Sequence, residues 1–365
     1  MYLQNLSLLN FKNYAQTEME FSSRINCFTG KNGVGKTNVL DAIYYLSLCK
    51  SYFNPLDSQN IRHGADYFVV EGEYFRNDEK EHILCGLKRG QKKQFKRNKK
   101  EYSRLSEHIG FLPLVMISPA DSNLISEGSE ERRHFINAVI VQYDHSYLEN
   151  LLHYNSALTQ RNHLLKSFAS TGKFDNEALE LWNEQLIEPA IKIYNTRREF
   201  VNELVPVFQK YYEFISGGNE QVGITYHSHL SEGDFRNMLK ASAEKDRILQ
   251  FTTTGIHKDD LILKLNDFPI KRTGSQGQQK TFLVALKLAK FDFISLHNGQ
   301  KPILLLDDIF DKFDSDRVNQ IIRLVSDDHF GQIFVTDTHP ERMEELLSNL
   351  KIEYKLFNLT ENQNS

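Results

Sequence analysis

A lysine and a threonine preceded by spaced glycines can hold a polyphosphate. Gly30-Lys31-Asn32-Gly33-Val34-Gly35-Lys36-Thr37 supplies that set in the order Gly, four residues, Gly-Lys-Thr. Glycines lack side chains, so backbone N–H groups can close around a β-phosphate. Lys36 is placed to reach the β- and γ-phosphates, and the Thr37 hydroxyl to ligate Mg2+. At the other end of the chain, Ile303-Leu304-Leu305-Leu306-Asp307-Asp308 is an apolar run ending in paired carboxylates. Asp307 is expected to bind the Mg2+, directly or through water, and Asp308 to polarise an attacking water as general base. ATP and Mg2+ are the expected cofactors, in a site assembled from both ends of the chain.

Ser275-Gln276-Gly277-Gln278-Gln279 stands just before a long apolar helical run. Ser and Gly at a helix N-terminus make an anion site from free N–H groups and the helix dipole. Taken alone, such a segment is a plain helix cap. The order glycine loop, Ser-x-Gly-Gln, aspartate strand is similar to that of ABC-type ATPases, where this loop contacts the γ-phosphate held by a second subunit. On that similarity Ser275, Gly277 and Gln278 act in trans. Two weaker segments follow. Asp311-Lys312-Phe313-Asp314 resembles the acidic loop behind the aspartates of such heads, and Thr336-Asp337-Thr338-His339 ends the next strand near the place of a switch histidine.

These groups need a scaffold. Residues 2–9 and 24–29 read as strands, and the spacing of Val39, Leu40, Ile43 and Leu46 reads as a helix leaving the glycine loop. Residues 67–74 and 82–88 read as sheet, followed by a hairpin with its turn near Asn98. From about 130 to 215 helical periodicity takes over. Tyr147, Leu151, Tyr154, Leu158, Leu165 and Phe168 form one stripe, and Leu179, Trp182, Leu186, Ile193, Phe200 and Leu204 a second. A short turn at 169–173 makes them an antiparallel pair, with Pro189 and Pro206 expected to kink or end parts of the second helix. Residues 280–297 read as an apolar helix, and 303–306 and 332–336 as buried strands with a helix at about 315–326 between them. The expected fold is α/β, a P-loop ABC-type ATPase head with a mostly parallel sheet and an inserted helical arm lobe. The head comprises 1–125 and 223–365, and the arm 126–222.

The chain has 365 residues and a formal net charge of −4, so a nucleic-acid partner needs a local basic patch. Cys27, Cys49 and Cys85 have no metal spacing and cannot all pair, which fits a reducing cytoplasm. No apolar run reaches the length needed to span a bilayer, so no membrane partner is expected.

Further segments are similar to the RecF family of ABC-type ATPases. They are Leu8-Leu9-Asn10-Phe11-Lys12-Asn13-Tyr14, Ile117-Ser118-Pro119-Ala120-Asp121, Glu131-Arg132-Arg133-His134-Phe135-Ile136, Thr254-Gly255-Ile256-His257-Lys258-Asp259-Asp260 and Gly274-Ser275-Gln276-Gly277-Gln278-Gln279-Lys280. Ile256, Lys258 and Glu127-Gly128-Ser129 depart from the usual pattern in local loops. The resemblance implies that Lys12, Asn13 and Asn38 join the nucleotide site. It implies an ATP-dependent homodimer, binding of double-stranded and single-stranded, gapped DNA, and work with RecO and RecR to place RecA. It also implies a weak DNA-stimulated ATPase, because Asp308 stands where such heads carry the longer Glu.

Lys88, Arg89, Lys92, Lys93, Lys96, Arg97, Lys99 and Lys100 crowd the hairpin. Lys92, Lys93, Lys96, Arg97, Lys99 and Lys100 are the candidate DNA contacts, and a solvated hairpin tip is the alternative. Arg132-Arg133 and Arg197-Arg198 on the arm are further candidates. An ABC transporter subunit would share the Ser-x-Gly-Gln loop, but the long arm and Asp308 speak against it. A nucleotide-gated scaffold with negligible hydrolysis stays open because of Asp308, whereas an SMC-like tether would need a far longer coiled coil.

Overall fold

Five short segments form the sheet under the glycine loop, in the order Tyr354–Asn358, Ile25–Thr29, Ile333–Asp337, Ile303–Asp307 and Leu114–Ile117. Every neighbouring pair is parallel. The last four are buried at every position, so they read as unbroken apolar runs without alternation. Because the strands are parallel, the ends of Ile25–Thr29 and Ile303–Asp307 emerge on one edge, separated only by Ile333–Asp337. That arrangement brings the two motifs together.

This computed structural model describes residues 1–365 apart from 219, 311–314, 327, 349–351 and 361–365. The chain divides into two units. The first is Met1–Asp121, Phe214–Gly217 and Leu283–Ser365, and the second is Ser122–Glu213 and Gly218–Phe282. The second unit therefore takes in residues up to 282, where the sequence reading returned to the head at 223. Two strands missed in the sequence, Val222–His227 and Asp260–Leu265, explain the difference. They pair with each other over six residues, which places them and the return segment in the unit that contains the arm.

In the first unit a six-stranded antiparallel sheet accompanies the parallel one. Its order is Tyr14–Glu20, Tyr2–Phe11, Tyr67–Arg76, Glu79–Lys88, Gln94–Arg97 and Lys100–Glu101. Its buried face packs on helix Lys36–Leu48, where Phe11 and Tyr45 each stand edge-on to Phe68 at 5.3 and 5.6 Å between ring centroids. That helix is buried on almost every side, so its run from Val39 to Leu48 is mostly apolar instead of amphipathic. The expected hairpin is present. Asn98 and Lys99 turn at φ 49° and 70°, the left-handed pair that a tight two-residue turn requires.

Helices His145–Thr171 and Asn176–Ser216, the latter as far as Glu213 in the second unit, make the expected arm, and most of both stripes is buried. Asp144 caps the first helix by accepting the Tyr147 N–H at 2.8 Å, and Gly172, at φ 68°, ends it. Pro189 and Pro206 end nothing, because both lie inside one 41-residue helix. Two fully buried ion pairs brace the arm. Arg161 meets Asp246 at 2.8 Å and Arg197 meets Asp259 at 2.6 Å.

Candidate nucleotide site

Strand Ile25–Thr29 feeds the glycine loop and helix Lys36–Leu48 leaves it. A Cβ on Gly30 would lie 2.5 Å from the Leu359 carbonyl oxygen, and one on Gly35 would lie 2.7 Å from Asn13 Nδ2. Both positions also have positive φ, so side chains are excluded by space and by backbone. Lys31, Asn32 and Gly33 are exposed while Val34 packs inward, which leaves the loop's rim open to solvent. Asn38 Nδ2 donates to Asn13 Oδ1 at 2.7 Å, and the Tyr14 hydroxyl donates to the Gly35 carbonyl at 3.3 Å. Asn13 and Asn38 thus sit against the loop.

Lys36 Nζ curls over the loop and donates to the carbonyls of Gly30 at 2.7 Å and Lys31 at 2.9 Å. Burial draws its pKa down, while the charges of Asp308, Asp307 and Asp337 hold it up. Thr37 Oγ1 donates to Asp307 Oδ1 at 2.9 Å, across 270 residues of sequence. Thr336 Oγ1 donates to the same oxygen at 2.8 Å and accepts the backbone N–H of Asp308 at 2.9 Å. Burial raises the Asp307 pKa, and the two threonine hydroxyls oppose that rise. Asp308 adopts φ 48°, an uncommon conformation for a residue with a side chain. Thr336 was missed as a site residue; it is set opposite Asp307 by the parallel pairing of the two strands.

These residues fit Mg2+ and a polyphosphate. Hydroxyl and carboxylate oxygens suit a hard cation, and a collar of positive-φ glycines suits an anion. Thr37 and Asp307 would hold the metal, and Lys36 with the loop amides the phosphates.

The Lys12 ammonium pairs with Asp41 at 2.5 Å and is 11% exposed, so it fastens the first helix. His339 is exposed. Its N–H donates to Asp337 Oδ1 at 2.7 Å, and its ring lies 3.4 Å from the same carboxylate. The Asp311–Asp314 loop lies outside the described residues.

Ser275, Gly277 and Gln278 belong to the second unit. There they form a reciprocal cap. The Ser275 N–H donates to Gln278 Oε1 at 2.7 Å and the Gln278 N–H to Ser275 Oγ at 3.2 Å. Gln278 Nε2 also donates to Glu220. The first-turn N–H groups of Gln276 and Gly277 have no acceptor within their helix, as at any helix start.

The basic hairpin is less cationic at its surface than its sequence. Lys93 is 11% exposed and pairs with Asp57 at 2.8 Å. Arg97 pairs with Glu81 through two bonds of 2.9 and 2.5 Å, its guanidinium 3.9 Å from the Phe111 ring centroid. Those two cations are engaged by carboxylates of the fold. Lys92, Lys99 and Lys100 are exposed and Lys96 is half-buried. On the arm, Arg197 is buried, Arg132 pairs with Asp260 at 2.6 Å and Arg133 donates to the Asp259 carbonyl at 2.8 Å, so these three brace the second unit.

Comparison with known proteins agrees with this geometry. The family model for the RecF/RecN/SMC N terminal domain matches residues 2–358. "DNA replication and repair protein RecF" of Phocaeicola vulgatus is 54% identical over 98% of this chain and 96% of that protein. The protein of the same name from Flavobacterium johnsoniae is 52% identical over 98% of this chain and all of that protein. A solved structure of the recombination mediator protein RecF with ATP, in the RecFOR pathway, is 30% identical with a TM-score of 0.86, covering 93% of this chain and 92% of that one. The Smc head domain of Pyrococcus yayanosii is 13% identical with a TM-score of 0.58 and shares the fold alone, over 99% of this chain and 95% of that one. The fold is that of an ABC-type ATPase head, and the chain belongs to the RecF family.

Proposed function

We propose that this chain is an ATP-gated DNA-binding protein of recombinational repair and replication-fork maintenance, acting in the cytoplasm. The Thr37–Asp307 hydrogen bond carries the reading, because it joins the two halves of a metal site from opposite ends of the sequence. Bound Mg·ATP supplies a γ-phosphate with its charge partly neutralised. Lys36 leaves the Gly30 and Lys31 carbonyls to meet that charge, and Thr37 and Asp307 hold the cation. Asp308 orients and deprotonates the attacking water, slowly because its side chain is short. Ser275 and Gly277 of a second copy complete the site through their helix N-terminus, so ATP closes a homodimer.

The closed dimer holds double-stranded and gapped DNA, with Lys92, Lys96, Lys99 and Lys100 on the phosphates, and works with RecR, RecO and RecA. The relatives' names support this reading, and they leave the transporter alternative without support. Asp308, at φ 48°, keeps the nucleotide-gated scaffold as the second reading. Affinity for duplex, single-stranded and gapped DNA, measured with ATP, ADP and no nucleotide, tests the proposal. ATP is expected to tighten binding at least tenfold over ADP. Equal affinity in all three states refutes nucleotide gating.

A further inference from the structure

Lys93 stands in the middle of the basic run, yet its side chain faces inward. It lies between strands Glu79–Lys88 and Gln94–Arg97. Its Nζ donates to the Cys49 carbonyl at 2.5 Å, to Asp57 Oδ2 at 2.8 Å and to the Tyr45 hydroxyl at 3.2 Å, and it stands 4.9 Å from the Tyr45 ring centroid. Cys49 ends helix Lys36–Leu48 in a left-handed conformation, φ 56°. The last carbonyls of a helix have no partner inside it, and the negative end of the dipole gathers there. Lys93 therefore clamps the foot of the helix whose first residues are Lys36 and Thr37.

Other segments grip the same helix. Lys12 meets Asp41 at 2.5 Å, the His108 ring meets the Leu46 carbonyl at 2.7 Å, and Ser47 Oγ donates to the Leu112 carbonyl at 2.5 Å. Among these grips Lys93 has the most exposed cations beside it in sequence, namely Lys88, Arg89 and Lys92.

We propose that Lys93 is a coupling residue, tying the loop that meets DNA phosphates to the C-terminal end of the phosphate-loop helix. This rests on reading the basic hairpin as the DNA contact. The helix has 13 residues, so its foot is about 20 Å from Thr37. It is packed on almost every side, so a pull at its foot shifts it as a body and does not bend it. DNA on Lys92, Lys96, Lys99 and Lys100 thereby alters how Lys36 and Thr37 hold nucleotide, and by reciprocity nucleotide alters DNA affinity by the same factor.

The experiment measures affinity for a non-hydrolysable ATP analogue with and without duplex DNA, in wild type, Lys93→Met and Lys93→Arg. A control replaces Lys92, Lys96, Lys99 and Lys100 by Gln. Wild type is expected to show a coupling factor of at least five. Lys93→Met is expected to bind DNA within twofold of wild type while its coupling factor falls below two, and Lys93→Arg to regain part of it. A Lys93→Met protein that keeps the wild-type factor overturns the proposal, as does a wild-type factor of one. A quadruple Gln variant with undiminished DNA binding removes the hairpin reading and the coupling with it. Weakened binding in that variant beside normal coupling in Lys93→Met removes the coupling alone. Should Lys93→Met fail to fold, amide exchange in the native protein decides: protection over residues 45–49 must change when DNA is added, and unchanged exchange overturns the proposal.

Discussion

Replacing Lys36 by Met separates the nucleotide site from the rest of the fold. The Lys36 side chain is 6% exposed, and its ammonium bonds only to the carbonyls of Gly30 and Lys31 among the described residues. Loss of those two bonds costs about 1.5–3 kcal/mol each where the partners stay desolvated. Lys31 is on the open rim, however, so its carbonyl can rehydrate, and the desolvation that lowers the lysine's pKa is relieved. The terms oppose each other, and the unliganded protein should change by less than about 2 kcal/mol. The ligand-dependent term does not cancel. Mg·ATP at a hundred times its Kd stabilises the wild type by about 2.7 kcal/mol. For a unit of this size 1 kcal/mol moves the melting midpoint by about 2–4 °C, so the expected shift is about 5–10 °C. In Lys36→Met the same concentration should give less than about 2 °C, because the ammonium that meets the β- and γ-phosphates is gone. Thermal unfolding with and without Mg·ATP at matched concentrations reads both quantities. A variant that keeps the wild-type shift would show that the loop lysine does not touch the nucleotide.

Three other outcomes follow from named contacts. Ser275→Arg should leave ATP affinity within about threefold but abolish the ATP-dependent dimer in sedimentation and, with it, turnover; ATP affinity at background would put the loop in its own chain's site. Arg197→Met leaves Asp259 buried without its cation and should cost about 3–5 kcal/mol in denaturant unfolding; a loss under about 1 kcal/mol would mean the pair is replaceable. Burial lowers the pKa values of His108 and His257 to about 4. A lowered value means the neutral ring is the folded form, so stability is complete above about pH 6.5 and is lost as pH falls toward 4, by about 2 kcal/mol per ring at pH 5. His108→Gln should flatten that slope, and an unchanged slope would show that His108 does not titrate with unfolding.

The local patterns were readable without coordinates. A glycine loop between strand and helix, an apolar strand ending in Asp-Asp, a helical pair around 172 and a hairpin at Asn98-Lys99 each depend on spacing within a few residues, and spacing is written in the chain. Which groups meet across long separations was not. Nothing near Lys93, Arg97 or Lys12 announces that each spends its charge on Asp57, Glu81 or Asp41, because a cation in a basic run looks the same whether it faces water or a buried carboxylate. The pairing of Val222–His227 with Asp260–Leu265, which extends the second unit past 223, also joins residues far apart in sequence. Thr336 entered the site for the same reason: parallel register sets it opposite Asp307, and register is settled only when the sheet forms. Short-range order thus reveals the chemistry on offer, while burial and cross-strand partnering settle which of those side chains remain available for it.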